Sequence, residues 1–390
     1  MLEPLKTHFG APVSGDKFFS RPYPVNLALN TLKDDGSVAL FGPRRTGKSS
    51  ILKEVARLLR EEGFHPIEID LQGRSGPASF ASNILKAIPK DMKTTIVTGW
   101  AQLGGLPTAL LSLFNKDGDG QIPADEATEA LFREYWEALS DVVQTQILKS
   151  TKKIVLFLDE LPYFCEQQLE RGASVQNVDD FLATLRRWRQ AGIPMAIAGS
   201  IGMRHVLRKH RLSPDHLNDL TAVPLRPLSH EHAVLMLKRL AATSGLHWWQ
   251  DEHAEVIIAE APDLLPSYLQ KAFATARALD APDPMTVVAD LRRDVRGQFE
   301  AGFFDQYNKR LARYVPEAHF AKAVLSLLLD EPKPRTVLIE ALRAAGASSD
   351  HDAGEFLQEM IEDGFIAHTE AAGQYALAFK MVESWWRQRS

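Results

Sequence analysis

Residues Val38 to Ser50 read VALFGPRRTGKSS, and this stretch decides what kind of sheet the chain can build. VALF is a short apolar run, GPRRTGKS at Gly42 to Ser49 has the pattern G-x-x-x-x-G-K-S, and ILKEVARLLREEG from Ile51 has the apolar spacing of a helix. Strand, glycine-containing loop, helix is the context a phosphate-binding loop requires. Successive backbone N–H groups and the positive end of the following helix cradle phosphate oxygens. Gly42 and Gly47 permit the backbone, Lys48 reaches the β and γ phosphates, and the Ser49 hydroxyl takes Mg²⁺. Pro43, Arg44, Arg45, Thr46 and Ser50 complete the candidate nucleotide-contacting loop. The bland alternative, a chance glycine-lysine turn, does not account for the flanking strand and helix.

Outward from the loop the pattern continues as strand and helix in alternation. HPIEIDLQG at His65 to Gly73 reads as a strand and Ala78 to Ala87 as a helix. Ala127 to Leu148 is helical by spacing. KIVLFL at Lys153 to Leu158 is apolar on both faces, as suits a central parallel strand, and is closed by Asp159 and Glu160. Phe181 to Gln190 follows as a helix, and PMAIAG at Pro194 to Gly199 as another buried strand, ending at Ser200. Strands alternating with helices imply an α/β parallel sheet. From about Arg226 the strands stop and helices broken by Pro262 and Pro266 begin. Helices at Phe320 to Leu329, Arg335 to Ala344 and Ala353 to Asp363 precede GFIAHTEAAGQYALAF, which reads as two short strands around a turn at Ala371 to Gly373. Three helices and a hairpin describe a winged helix. The expected organisation is a parallel-sheet P-loop NTPase domain at 1–224, with an insert at about 92–130, then a helical lid at 225–299 and a winged-helix-like domain at 300–390.

The whole chain agrees with this division. Its 390 residues suit two or three domains. With 45% hydrophobic and 24% charged residues it is neither disordered nor fibrous. Lys plus Arg is 45 and Asp plus Glu 50, a balance of −5, so a role as a general coat for nucleic acid is excluded and any basic surface must be local. One cysteine, Cys165, permits no intrachain disulfide and supports no cysteine-based zinc site. With no secretory signal at the start, the chain reads as cytoplasmic. From Thr94 to Phe114 there are 21 residues without a charge, long enough to span a membrane, but four Thr, a Gln, three Gly and Pro107 favour helices packed inside a protein.

Two carboxylates and a hydroxyl complete the candidate chemistry. Asp159, at the carboxyl end of a buried strand, is placed to hold Mg²⁺ together with Ser49. Glu160 is placed to orient and deprotonate an attacking water, the property that separates a hydrolysing ATPase from a passive binder. A strand-end Asp-Glu pair that is merely solvated is the alternative. Ser200 can hold the water or the γ phosphate, or can cap the next helix.

The phosphate loop, KIVLFLDELPYF from Lys153, IAGSIGM from Ile197, PLRPLSHEHA from Pro224 and LLPSYLQ from Leu264 together resemble the archaeal-type P-loop ATPases. These belong to the AAA+-related STAND group. The resemblance covers about Gly15 to Gln270 and, more loosely, the tail. It implies ATP rather than GTP, an adenine pocket near GDKFFSRPY at Gly15 to Tyr23, Pro266 on the adenine side, and nucleotide-dependent movement between sheet domain and lid. Two segments depart from the family. Asn218 and Asp219 stand where an arginine often precedes the lid, leaving Arg204, Arg208 and Arg211 as nearby substitutes. Ser20 and Arg21 lead into PYPVN where Gly-Arg and acidic residues are common.

Asn115 to Glu126, NKDGDGQIPADE, also fits a twelve-residue calcium loop, with Asn115, Asp117, Asp119, the Gln121 carbonyl and Glu126 as oxygen ligands and Gly120 at the turn. An Asn at the first position, Pro123 at the ninth and the lack of a second loop favour an ordinary polar turn. From Glu300 to Ser390 there are 10 Lys plus Arg against 14 Asp plus Glu, a difference of −4, which opposes tight DNA binding and favours a protein partner for the tail. Trp385 and Trp386 are core or an exposed anchor. The sequence thus predicts an ATP- and Mg²⁺-dependent ATPase switch. The alternatives are an ATP-controlled DNA-binding initiator or transposition-type helper, and a non-hydrolysing ATP-binding scaffold. The oligomeric state is open.

Overall fold

The computed structural model describes residues 4–8, 10–74, 76–115, 122–123, 125–279 and 282–389. The chain divides into two compact units, one of Pro22–Leu40 and Leu52–Pro224, the other of Met1–Arg21, Phe41–Ile51 and Leu225–Ser390.

The first unit is built on a sheet. In chain order it runs α1 (Pro22–Lys33), β1 (Ser37–Phe41) and α2 (Lys48–Glu61), of which Phe41 and Lys48–Ile51 fall in the other unit, then β2 (His65–Asp70), α3 (Pro77–Ala87), α4 (Lys90–Ala101), α5 (Thr108–Asn115), α6 (Glu126–Glu134) and α7 (Trp136–Lys149). There follow β3 (Ile154–Asp159), α8 (Leu161–Glu170), α9 (Val175–Gln190), β4 (Met195–Gly199), α10 (Met203–His210) and β5 (Leu220–Ala222). The five strands are parallel in the order β2-β3-β4-β1-β5. β3 aligns with β2 from His65 opposite Ile154 to Asp70 opposite Asp159, and with β4 at Leu156 opposite Met195. Ile154 to Leu158 and all of β4 are buried. Parallel strands are covered by their crossover helices, so apolar residues are needed on both faces.

The helix expected over 127–148 is two helices. Tyr135 leaves helical geometry at φ −107°, ψ 17°, and the break turns Trp136 into an aromatic cluster with Phe80 and Phe181, its Nε1 donating to Thr184 Oγ1 at 3.1 Å. Tertiary packing here overrides a continuous helical spacing. The uncharged run at 94–114 is likewise divided, falling in α4 and α5, on either side of the Gly104-Gly105-Leu106-Pro107 break. Trp100 of α4 is buried and donates to Leu139 O at 2.8 Å, and Gly99 lets α4 approach Val142 of α7. Among the described residues no helix is long and apolar enough to cross a membrane. Cys165, on α8, is fully buried, and burial pushes its thiol well up from the usual range.

The second unit contains α11 (His230–Thr243), α12 (Asp251–Glu260), α13 (Pro266–Ala278), α14 (Pro284–Asp290), a π-helical turn at Leu291–Arg296, α15 (Gly297–Arg313) and α16 (Ala318–Leu327). Next come β6 (Lys333–Pro334), α17 (Arg335–Ala344), α18 (Asp350–Glu362), β7 (Ile366–His368), β8 (Gln374–Leu377) and α19 (Lys380–Arg387). The last three strands form an antiparallel sheet in the order β6-β8-β7. The unit has one continuous apolar core that runs from Leu5 and Phe19 through Phe273 and Phe303 to Trp386. Trp385 and Trp386 are core, and each indole N–H finds a partner, Asn308 Oδ1 at 2.9 Å and Ser326 Oγ at 3.2 Å. A buried indole needs such an acceptor.

Candidate nucleotide-binding site

In a parallel sheet every strand ends at the same edge, and the chemistry collects there. β3 ends at Asp159, β4 at Gly199, and the chain leaves β1 at Phe41 directly into Gly42. β4 stands between β1 and β3, an order that the sequence alone did not supply. Glu160 follows Asp159 with φ +61°, a left-handed conformation uncommon for a residue with a side chain. The turn is held by contacts on both sides. Asp159 Oδ1 accepts from Glu160 N at 3.1 Å. The Glu160 carboxylate is anchored through Oε2, which accepts from Ser200 N at 2.9 Å and Ser200 Oγ at 2.8 Å. Oε1 accepts no hydrogen bond among the described residues. Among the described residues the Glu160 carboxylate thus has one oxygen held and the other without a hydrogen bond. Ser200 acts here as a brace for Glu160.

The phosphate loop itself belongs to the second unit. Gly42 at φ +146° and Gly47 at φ +95° occupy backbone conformations that side chains rarely adopt, and Arg45 at φ +72° shares that strain. Lys48 is buried, and its Nζ donates to Gly42 O at 2.8 Å and Pro43 O at 2.7 Å. Thr46 Oγ1 donates to Pro43 O at 2.9 Å. Ser49 and Ser50 are half-buried at the start of α2, and Ser50 Oγ accepts from Val13 N at 3.2 Å. Residues far along the chain complete the loop's surroundings. Ser267, beside Pro266 in the first turn of α13, donates to Arg45 O at 2.8 Å. Gln306 of α15 accepts from Arg44 N at 3.0 Å, and the Arg45 guanidinium lies 5.4 Å from the Phe299 ring. Arg21 donates to Thr46 O at 2.6 Å. The sequence placed Arg21 only in the segment expected near adenine, and it gave no role to Ser267 or Gln306, because no local pattern marks a residue that acts on a loop so distant in the chain.

The donor set suits a polyphosphate: a buried ammonium, a run of loop N–H groups and the start of a helix. Ser49, in the second unit, and Asp159, in the first, each carry a hard oxygen of the type Mg²⁺ takes.

The departures from the family pattern have local uses. Asp219 forms a two-pronged pair with Arg189, both bonds 2.8 Å, and Asn218 donates to Asp215 at 2.8 Å. Arg204 and Arg208 are half-buried on α10, and Arg211 is exposed just beyond it. Of the calcium-loop ligands, Asp117, Asp119 and Gln121 lie outside the described residues, and only the backbone of Asn115 is described, as the end of α5. Glu126 opens α6 as an exposed residue, and Asp125 caps that helix by accepting from Thr128 N at 2.8 Å. Glu129, one turn on, is buried and accepts from Ala78 N and Ser79 N at 2.9 and 3.0 Å, capping α3. Among the described residues no three metal-ligating His, Cys, Asp or Glu side chains cluster.

Fold and motif together define a P-loop nucleotide-binding α/β protein. Residues 31–207, a little under half of the chain, match the family model described as an AAA domain. No curated protein matches the sequence. Among solved structures the chain is similar to the Walker-type ATPase of Pyrococcus abyssi, at 17% identity and a TM-score of 0.55, covering 99% of this chain and 100% of that one. It is also similar to the ADP form of the ORC2 protein of Aeropyrum pernix, at 11% identity and a TM-score of 0.47, covering 96% and 97%. The likeness to the P. abyssi protein is one of fold.

Proposed function

We propose that the chain is a Mg²⁺-dependent ATPase of the STAND type, a switch in which nucleotide state moves the lid at 225–299 and the winged-helix-like region at 300–390. The observation that carries this reading is the Glu160 carboxylate, braced by Ser200 through one oxygen and available through the other. In this reading the loop from Gly42 to Ser50 holds the phosphates, Lys48 bonds the β and γ groups, and Ser49 and Asp159 hold the metal. Bound Mg²⁺ would neutralise charge on the phosphates. Glu160 takes the proton of the attacking water, and Ser200 keeps Glu160 in place for that step. Ser267 next to Pro266, bonded to Arg45 O, supports a lid that follows the loop.

A second reading, an ATP-controlled DNA-binding initiator, draws on the arrangement of α16, α17 and α18 with the three-stranded antiparallel sheet, a helix-and-wing pattern. The charge of −4 over 300–390 (10 − 14) weighs against it and favours a protein partner. ATP hydrolysis by the full chain, measured with and without duplex DNA, tests both. The switch reading expects turnover that is indifferent to DNA. Turnover stimulated by DNA and lost with salt would favour the initiator, and no turnover with intact ATP binding would reduce the protein to a scaffold.

A further inference from the structure

Arg21 is buried, with 7% of its surface exposed. A guanidinium in such a place ordinarily faces a carboxylate, because a lone charge removed from water is strongly unfavourable. Among the described residues no carboxylate pairs with it. Its Nη1 donates to Thr46 O at 2.6 Å and its Nη2 to Arg226 O. Burial pushes its pKa down to about 10, with no acidic neighbour pulling it back up. The same Nη1 lies 3.2 Å from where a Cβ on Gly47 would sit, so a side chain there would press on the guanidinium as well as strain the backbone at φ +95°.

The geometry of one peptide plane connects these contacts to the loop's task. In a trans peptide the carbonyl and the following N–H point in opposite directions. A group that grips Thr46 O therefore fixes the direction of the Gly47 N–H, one of the consecutive N–H groups from which a phosphate cradle is made. The other arm of the fork holds Arg226 O, at the start of the segment leading to α11. A planar guanidinium can hold two acceptors at a set angle, which a lysine cannot do.

We propose that Arg21 is a positioning residue for the phosphate loop: it aims the Gly47 N–H at phosphate oxygens, and the bound polyphosphate supplies the counter-charge that no carboxylate among the described residues provides. This inference rests on the reading of the loop as a nucleotide site and places Arg21 at the phosphates, whereas the family resemblance implies an adenine pocket in this segment.

Calorimetry on the full chain, with ATP and with inorganic tripolyphosphate, tests it in Arg21→Gln, Arg21→Lys and Lys48→Ala. Arg21→Gln is expected to weaken both ligands by about tenfold or more, the scale of a lost hydrogen bond to a charged group. The melting temperature without ligand is expected to hold, since a buried unpaired charge has been removed. Arg21→Lys, which keeps the charge but loses the fork, should recover part of the affinity. Wild-type affinity of Arg21→Gln for tripolyphosphate overturns the proposal, and a loss confined to ATP would assign Arg21 to adenine instead. A fall in unliganded stability that parallels the loss, with no rescue by lysine, also overturns it by making the role structural. Should Arg21→Gln fail to fold, Arg21→Lys decides, because unchanged tripolyphosphate affinity in that variant contradicts the lost fork. ATP affinity unchanged in Lys48→Ala would refute the nucleotide site itself, whereas loss in Lys48→Ala with none in Arg21→Gln refutes only the role of Arg21.

Discussion

The carboxyl edge of the sheet and the phosphate loop solve the same problem, holding polar groups in a fixed geometry, by different means. At the sheet edge Glu160 and Ser200 follow two adjacent strands, β3 and β4, so strand pairing brings them to hydrogen-bond distance. At the loop, Thr46, Arg45 and Arg44 are held by Arg21, Ser267 and Gln306, residues from the start of the chain and from two distant helices. A sheet edge can be built within one α/β unit, but a loop supported in this way depends on how remote segments pack. Chemistry at the first should therefore tolerate changes in the C-terminal region, and geometry at the second should not.

The largest effects are expected where this comparison is broken at its centre. Lys48→Ala removes the buried ammonium, and turnover should fall on the order of 10²- to 10³-fold, together with nucleotide affinity, while the fold persists. Hydrolysis and binding assays on the same preparation check this, and wild-type turnover would remove the loop from the mechanism. Glu160→Gln addresses the sheet edge. The amide oxygen can still accept from Ser200, so nucleotide affinity should hold while turnover falls by roughly 10²- to 10⁴-fold, the contribution of a positioned base. Equal loss of binding would mean that Glu160 acts only by shaping the turn after Asp159.

The legibility of the two regions in sequence follows from the same difference. GPRRTGKS, KIVLFLDE and PMAIAGS could be placed on strands and loops because each carries its context in a few neighbouring residues, and β1, β3 and β4 lie where those patterns predict. β5 at Leu220–Ala222 was not legible, since its three residues are half-exposed or exposed and have no apolar run. Neither was the break at Tyr135, set by where Trp136 must pack. α15 at Gly297–Arg313, which supplies Gln306, has buried residues at helical spacing, yet its contact with Arg44 N has no signature in either segment.

A smaller effect should come from glycines that share a backbone conformation but not a neighbourhood. Gly364 at φ +73° and Gly373 at φ +74° both occupy the left-handed region, and a side chain at either costs about 1–2 kcal/mol. A Cβ at Gly373 would meet open space, whereas at Gly364 it would collide with the ring of Pro43 in the phosphate loop. Gly364→Ala should therefore destabilise by about 1–3 kcal/mol more than Gly373→Ala, and it alone should weaken nucleotide binding. Denaturant unfolding and nucleotide titration of the two variants supply the measurement. Equal behaviour would mean that the loop does not depend on the C-terminal region in the way its contacts indicate.

The smallest effect concerns Asp263, whose carboxylate accepts from Lys380 N and Met381 N, both at 3.0 Å, at the start of α19. Burial raises its pKa to about 6, despite those two backbone donors, which act to lower it. The unfolded value is about 3.9, so the folded protein binds this proton more tightly than the unfolded chain does. Between about pH 4 and pH 6 the folded state therefore carries more of the proton, and this group's contribution to stability falls as pH rises through that window. The full shift is worth on the order of 2–3 kcal/mol, all of it incurred above pH 6. Asp263→Asn has no proton to lose. Its stability relative to wild type should accordingly rise from pH 4 to pH 7, even if the absolute value is lower at every pH because an amide cannot accept at both positions. Unfolding curves at pH 4, 5, 6 and 7 give that difference directly. A difference that is flat in pH would place the carboxylate in contact with water, and the connection between the segment before α13 and α19 would then be a solvated surface contact.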